Sequence, residues 1–327
     1  MTIRILRRDE IRALLPMDRC IELVGQAMVA VSQGKAVLPL RSAMAMPREI
    51  GMLGMMAGYL GEPESFGIKL VSLFPRNAGT GHSSHLGALL LFETQHGYPV
   101  GLLDAAEITA IRTAAASAFA TGLLAPAGAS RLAILGTGEQ AGRHIEAMRA
   151  VRPIAEVRIW GRTVKEAERL AEETRVSGIP ATAFGDVATA VAGAQIVCTT
   201  THAPDPILFG DMVAPGTHLN IVGSSVASTA EIDSSLVARS HFIVDYRESA
   251  LNQAGEYLRA LNEGAIGPDH IAGEIGQVAV GDAPGRTSAD QVTLYKSLGV
   301  AAQDLVAADF VLKQAAQRGI GQAVEFP

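Results

Sequence analysis

The chain has 327 residues, 48% of them hydrophobic and 18% charged, and carries a formal net charge of -6. This length predicts two domains, and the composition describes a globular chain, excluding a disordered one. The acidic balance argues against nucleic acid or an anionic membrane as partner, since each needs a basic face; a small acidic substrate in a local basic pocket stays compatible.

The opening MTIRILRRDEIRALLP is too charged for a signal peptide, and the apolar run LGALLLF (86 to 92) is far short of a membrane helix. A cytoplasmic protein is therefore expected. In DRCIELVGQAMVAVSQ (18 to 33), Ile21, Val24, Met28 and Val31 have helical spacing, with Asp18 as the expected N-cap and Gly34 as the stop. The strand-like runs FGIKLVSLF (66 to 74), LGALLLFE (86 to 93) and YPVGLLD (98 to 104) follow. The turn-rich stretches PRNAGTGHSS and TQHG separate them, which predicts an antiparallel or mixed sheet. AAEITAIRTAAASAFATGLLA (105 to 125) reads as a helix of small residues ended by Pro126 and Gly128, near a domain junction.

From Leu132 the rhythm becomes strand, glycine turn, helix. LAILG (132 to 136) and VRIWG (157 to 161) are strands, followed by the helices EQAGRHIEAMRAV and TVKEAERLAEET. Shorter runs come at ATAF, QIVCTTT (195 to 201), HLNIVG (218 to 223) and HFIVDY (241 to 246). Apolar, β-branched strands alternating with helices predict a parallel sheet covered on both faces. The tail from Val300 is again helical. The expected fold class is α/β: a Rossmann-type doubly wound parallel sheet over residues 121–305, plus an α+β domain from 1–120 with 306–327. Cys20 and Cys198 have neither disulfide nor metal-ligand spacing and read as inert core residues, so no metal is expected.

GTGEQA matches G-x-G-x-x-A directly between a strand and a helix. There Gly136 permits the tight turn, Gly138 lets backbone N–H groups near a pyrophosphate, and Ala141 allows close packing of helix on strand. The turn, with Thr137, Glu139 and Gln140, thus reads as a dinucleotide site at a helix N-terminus. An NAD site usually has a carboxylate at the end of the second strand; this strand ends WGRT, offering Gly161, Arg162 and Thr163. A guanidinium and a hydroxyl suit a 2′-phosphate, so NADP is expected as cofactor with NAD possible; the bland alternative is a solvated loop arginine.

Arg41 in VLPLRSAMAM, Lys69 in FGIKLVSLF and Arg112 in EITAIRTAAAS are single cations in runs that read as buried. Each must reach water, a protein carboxylate or a bound anion. Any one could snorkel or form a structural ion pair. Taken together, with few carboxylates nearby in sequence, they point to a shared anionic ligand such as a substrate carboxylate.

The chain resembles the ornithine cyclodeaminase/mu-crystallin family from near residue 40 to near 310, through LPLRSAM, IKLVSLFP, SSHLGALLLFE, ITAIRTAAASA, ILGTGEQAGRHIEAM, VRIWGRT, DPILFG, APGTHLNIVGSS and TLYKSLGVAAQDLVAA. The resemblance implies a homodimer whose N-terminal domain serves substrate binding and dimerisation, a Rossmann domain, and hydride transfer between nicotinamide and the α-carbon of a small carboxylate-bearing imino or amino acid. It assigns Arg41, Lys69 and Arg112 to the carboxylate. Ser84, His85, Arg112 and Thr113 fall near the nicotinamide and phosphates. Gln140, Arg162, Thr163, Thr199, Thr200, Val222 and Ser297 fall in segments that contact the cofactor.

Two positions depart from the cyclodeaminase pattern. Ser225 stands where cyclodeaminases carry an aspartate, and Gly54 where they carry a glutamate. Cyclising ornithine calls for acid/base groups near its side-chain amine. The VGSS and GMLGMMAGY forms resemble instead the mu-crystallin branch, whose enzymes reduce cyclic ketimines. The expected activity is NADPH-preferring reduction of Δ1-pyrroline-2-carboxylate to L-proline or of Δ1-piperideine-2-carboxylate to L-pipecolate. Lys69 would tune the imine, and Ser225 would hydrogen-bond near the ring nitrogen. Ornithine cyclodeamination, alanine dehydrogenation or acyclic imine reduction, and non-catalytic ligand binding are the alternatives. Glu256 in NQAGEYLRA reads as a solvated helix carboxylate, with a substrate-facing role as the other option.

Overall fold

A computed structural model describes residues 2–77, 80–81 and 85–325, with the backbone alone at Glu49 and His85. The strands are β1 Thr2–Leu6, β2 Ala36–Val37, β3 Ser42–Ala45, β4 Met52–Gly61, β5 Glu64–Leu73, β6 His85–Phe92, β7 Pro99–Asp104, β8 Arg131–Leu135, β9 Glu156–Trp160, β10 Ala181–Phe184, β11 Ile196–Thr199, β12 His218–Ile221, β13 His241–Val244, β14 Ile271–Glu274, β15 Thr293–Lys296 and β16 Gln322–Glu325. The helices are α1 Arg8–Leu14, α2 Met17–Ser32, α3 Ala105–Leu124, α4 Glu139–Val151, α5 Val164–Val176, α6 Val187–Val191, α7 Ser234–Ala238, α8 Arg247–Gln253, α9 Gly255–Asn262, α10 Ile275–Val280 and α11 Ala301–Arg318. The chain forms two compact units, Met1–Arg112 with Val300–Pro327, and Thr113–Gly299; the division falls inside α3.

The first unit holds an eight-stranded mixed sheet in the order β16-β1-β7-β6-β5-β4-β2, with β3 also paired to β4. Only β1 and β7 run parallel; the other pairs are antiparallel. Helices α2 and α11 pack together, and α11 lies across β4 and β5. Gly58 of β4 makes that approach possible, because a Cβ there would stand 2.8 Å from the Cβ of Ala301 at the start of α11. Helix α2 buries Val24, Met28 and Val31 as its spacing predicts, together with Leu23 and Ala27, while Ile21 is half-buried; the helix begins at Met17 behind Pro16, so Asp18 sits in the first turn and is not the cap.

The second unit carries a second eight-stranded sheet, β10-β9-β8-β11-β12-β15-β13-β14, parallel throughout. Every residue of β11, β12 and β15 is buried, as expected of strands covered on both faces. The order reverses at β8, the first strand of the unit, where β9 lies on one side and β11 on the other. Open sheets of this kind bind ligands outside the carboxyl ends of their strands at such a switch point. Cys20 and Cys198 are both buried thiols, each pushed up to about 12 chiefly by burial. Among the described residues no helix is long and apolar enough to cross a membrane.

Candidate active site

In the first unit Lys69 lies on β5 and Arg112 on α3, both almost fully buried. The short-range sequence context offered them few acidic partners. The fold supplies one from far away: Asp304, in the first turn of α11 and wholly buried. Lys69 Nζ donates to Asp304 Oδ2 at 2.7 Å and Arg112 Nε donates to Asp304 Oδ1 at 2.8 Å. Arg112 Nη1 donates to Gln303 Oε1 at 2.9 Å, and Gln303 in turn reaches Met28 Sδ. Lys69 also makes a long contact of 3.4 Å with Thr109 Oγ1. Arg41, half-buried one residue before β3, adds a third positive charge that acts on Lys69.

One carboxylate therefore serves two buried cations, Lys69 and Arg112. Burial, then the charges of Arg112 and Arg41, push Lys69 down to about 7, against the opposing pull of Asp304. Burial opposes ionisation of Asp304, yet Arg112 and Lys69 outweigh it and hold the carboxyl below its usual range. Among the described residues Arg112 Nη2 and one Lys69 proton have no partner, so both remain for a ligand. Lys69 pairs with Met56 of β4, and Gly54 lies two residues along the same face, where a Cβ would find nothing nearer than 3.7 Å.

The second unit holds the glycine turn. Gly136 has φ +134°, and a Cβ there would fall 2.4 Å from Thr200 Oγ1, so only glycine suits the position. Gly138 is the N-cap of α4 and no side chain caps that end. A Cβ on Gly138 would meet open space, and Thr137, Glu139 and Gln140 remain partly or fully exposed beside it. The helix end thus offers the uncapped, accessible N-terminus that an anion requires. Gly161 is packed beside Thr137, while Arg162 and Thr163 are exposed past β9, with Arg162 unpaired among the described residues.

Thr200, Val222 and Ser297 follow the carboxyl ends of the adjacent strands β11, β12 and β15. The buried Ser297 Oγ has no hydrogen-bond partner among the described residues, a vacancy suited to a polar ligand atom. Thr199 differs from the rest: its hydroxyl is buried and donated to Glu231 Oε2 at 2.6 Å, so it acts inside the protein. Thr113 is buried at the start of this unit, and Ser225 is half-buried in the loop after β12. Ser84 lies outside the described residues, and His85 opens β6.

The chain matches the ornithine cyclodeaminase/mu-crystallin family over residues 2–319. It belongs to that family. It is 33% identical over 324 residues to the Δ1-pyrroline-2-carboxylate reductase of Bacillus cereus, covering 98% of this chain and 99% of that one. With the ketimine reductase mu-crystallin of Mus musculus it shares 38% identity over 278 residues, 85% of each chain. Among solved structures, the Thermococcus litoralis Δ1-pyrroline-2-carboxylate reductase in complex with NADH and L-proline superposes with a TM-score of 0.95 at 32% identity. That match covers 98% of this chain and 100% of the other.

Three acidic or basic residues of consequence escaped the sequence reading. Asp304 carried a readable signal, since it is an acid set among the small and apolar residues of AAQDLVAA at the start of a helix. Glu231 and Lys296 gave none that separates them from surface charges. Glu256 corrects the expectation of a solvated helix carboxylate: it is 1% exposed and lies 2.8 Å from Lys296 Nζ, itself fully buried.

Proposed function

We propose that this protein is a reductase of small cyclic imino acids, converting Δ1-pyrroline-2-carboxylate to L-proline or its six-membered homologue to L-pipecolate, and that it prefers NADPH. The observation that carries the reading is the buried Lys69–Asp304–Arg112 cluster with its surplus of positive charge. A ligand carboxylate would balance that surplus. Arg112 Nη2 and Arg41 would hold the carboxylate, and charge-assisted contacts of this kind fix orientation as well as binding.

A reduced nicotinamide, when bound, would supply the hydride for the imine carbon. The C=N electron pair then moves to the ring nitrogen, which needs a proton. Lys69, lowered to about 7, would hold that proton at Nζ and deliver it to the nitrogen, or keep the imine protonated. Asp304 would hold Nζ in place and keep enough proton affinity on a lysine that burial alone would neutralise. The half-buried Ser225 would hydrogen-bond near the same nitrogen. No carboxylate stands at Gly54 or Ser225, so the acid/base groups expected for ornithine cyclisation are absent from those positions.

For the cofactor, the fitting features are the uncapped N-terminus of α4, the glycine at +134° and the orphaned Ser297 hydroxyl. The glycine turn would hold the pyrophosphate, Ser297 the nicotinamide end, and the exposed Arg162 with Thr163 the 2′-phosphate. A homodimer built on the first unit is proposed as well. Val37, Met44, Phe66, Leu86 and Tyr98 leave apolar surface exposed on or beside its sheet.

The test is oxidation of NADPH and NADH by purified protein with Δ1-pyrroline-2-carboxylate. Turnover that is faster with NADPH supports the reading; no oxidation with either cofactor overturns it.

A further inference from the structure

Beneath the carboxyl ends of β11 and β12 lies a buried carboxylate to which the mechanism above gives no role. Glu231 is 0% exposed, and both of its oxygens are engaged. Oε1 accepts from Thr201 N and Thr201 Oγ1, each at 2.7 Å. Oε2 accepts from Thr199 Oγ1 and Gly223 N, each at 2.6 Å. One side chain thus fastens the segment that leaves β11 to the segment that leaves β12. The two backbones are so close that a Cβ on Gly223 would fall 2.0 Å from Thr201 O and 2.5 Å from Glu231 Oε1.

A second buried charge continues the arrangement. Lys296, at the end of β15, donates to Ser224 O at 2.6 Å and pairs with Glu256, whose Oε1 accepts the backbone N–H of Glu231. Ser224 Oγ, in turn, donates to Thr229 O. The loop carrying Val222 and Ser225 is therefore held at Gly223 by Glu231 and at Ser224 by Lys296. Thr200 sits between the two threonines that Glu231 grips. Buried charges cost stability unless fully bonded, and a core of this kind could have been built from apolar side chains. Here the bonds go almost entirely to loop backbone and loop hydroxyls, where they fix conformation.

We infer that Glu231 is a positioning residue for the nicotinamide cofactor: by locking the loops after β11 and β12 in register, it holds Thr200 and Val222 in their cofactor-binding conformation, with Lys296 and Glu256 bracing the second loop. This rests on the reading of the second unit as a nicotinamide-dinucleotide site. Glu231 touches no ligand itself and acts only through the two loops.

Glu231→Gln is the informative variant. It keeps the size of the side chain but turns one acceptor into a donor. In either orientation of the amide, a backbone N–H and a hydroxyl then face an NH2 group. The experiment titrates NADPH by its fluorescence on full-length wild type and E231Q. Thermal melting and the imino-acid KM at saturating NADPH are measured alongside. The expected result is a cooperative melt, an NADPH Kd raised about tenfold or more, and an imino-acid KM within about threefold of wild type. A folded E231Q with the wild-type NADPH Kd overturns the inference, and so does an equal rise in both constants. If E231Q does not fold, Thr201→Val takes its place, since it removes one hydroxyl bond and leaves the backbone bond intact. Its NADPH Kd should rise about threefold, and an unchanged value overturns the inference. Because binding is read directly, a wild type that binds NADPH but reduces no imino acid would refute the proposed substrate and leave this comparison decisive.

Discussion

Lys69 Nζ and Asp304 Oδ2 lie 2.7 Å apart although 235 positions separate them in the chain, and both side chains are out of water. With Arg112 the pair forms an internal cluster of two cations on one carboxylate, and the proposed function adds a ligand anion to it.

Replacing Lys69 with Met removes the proton-bearing group and keeps most of its apolar volume. Turnover of Δ1-pyrroline-2-carboxylate should fall by about 10²- to 10⁴-fold, the usual size of a general acid's contribution. NADPH binding, followed by fluorescence titration, should not change. Retained turnover would remove Lys69 from the mechanism.

The pH profile has a definite sign. Lys69 is lowered to about 7 in the folded protein from 10.5, so the free enzyme loses this proton as pH rises through neutrality. The profile of kcat/KM should fall above a break near pH 7. In kcat the break should move upward, because a bound carboxylate favours the ammonium form. K69R, which cannot deprotonate in this range, should lose the break, and a break that persists unchanged in K69R assigns it to another group. Stability runs the other way. Below about pH 7 both folded and unfolded chains hold the proton, and the cost of a buried ammonium is present in full. Between about 7 and 10.5 the unfolded chain binds more proton, so the contribution of Lys69 to stability rises with pH.

Asp304→Asn leaves Lys69 and Arg112 buried without their shared counter-charge. Breaking a buried pair in this way costs ~3–5 kcal/mol. Urea unfolding of the variant should show that loss, and added L-proline should restore part of it by supplying a carboxylate. A loss below ~1 kcal/mol would mean that water already screens the cluster.

Arg162→Ala should raise the KM for NADPH by about 10- to 100-fold, the range of one lost charge-assisted contact, and leave the KM for NADH within about threefold. Equal effects on both cofactors would place Arg162 away from the 2′-phosphate.

Much of this was legible in the chain. The cations announced themselves because Arg41, Lys69 and Arg112 interrupt apolar runs, and the glycine turn because a strand and a helix flank it. The parallel strands were legible for the same reason that they are buried on both faces: they are short, continuous and β-branched. Strand β4 was not. Its MLGMMAGYLG mixes glycine and methionine on both faces and lacks the alternation of a half-buried strand. The Asp304 pairing stayed hidden because local sequence carries no information on a partner that only tertiary structure brings near. Glu256 misled for a related reason: a helix carboxylate looks solvated until the strand that delivers Lys296 is in place.

The pairing of Thr2 with Glu325 has a consequence for biosynthesis. Strand β1 leaves the ribosome long before its antiparallel neighbour β16 is translated. Asp304, on which Lys69 and Arg112 depend, also arrives late. The residues of the second unit are contiguous, so its sheet can close as soon as β15 is translated, in keeping with domains folding as units during synthesis. A chain stopped just short of α11 would have a complete parallel sheet in its second unit, but Lys69 and Arg112 would lack the carboxylate that Asp304 gives them.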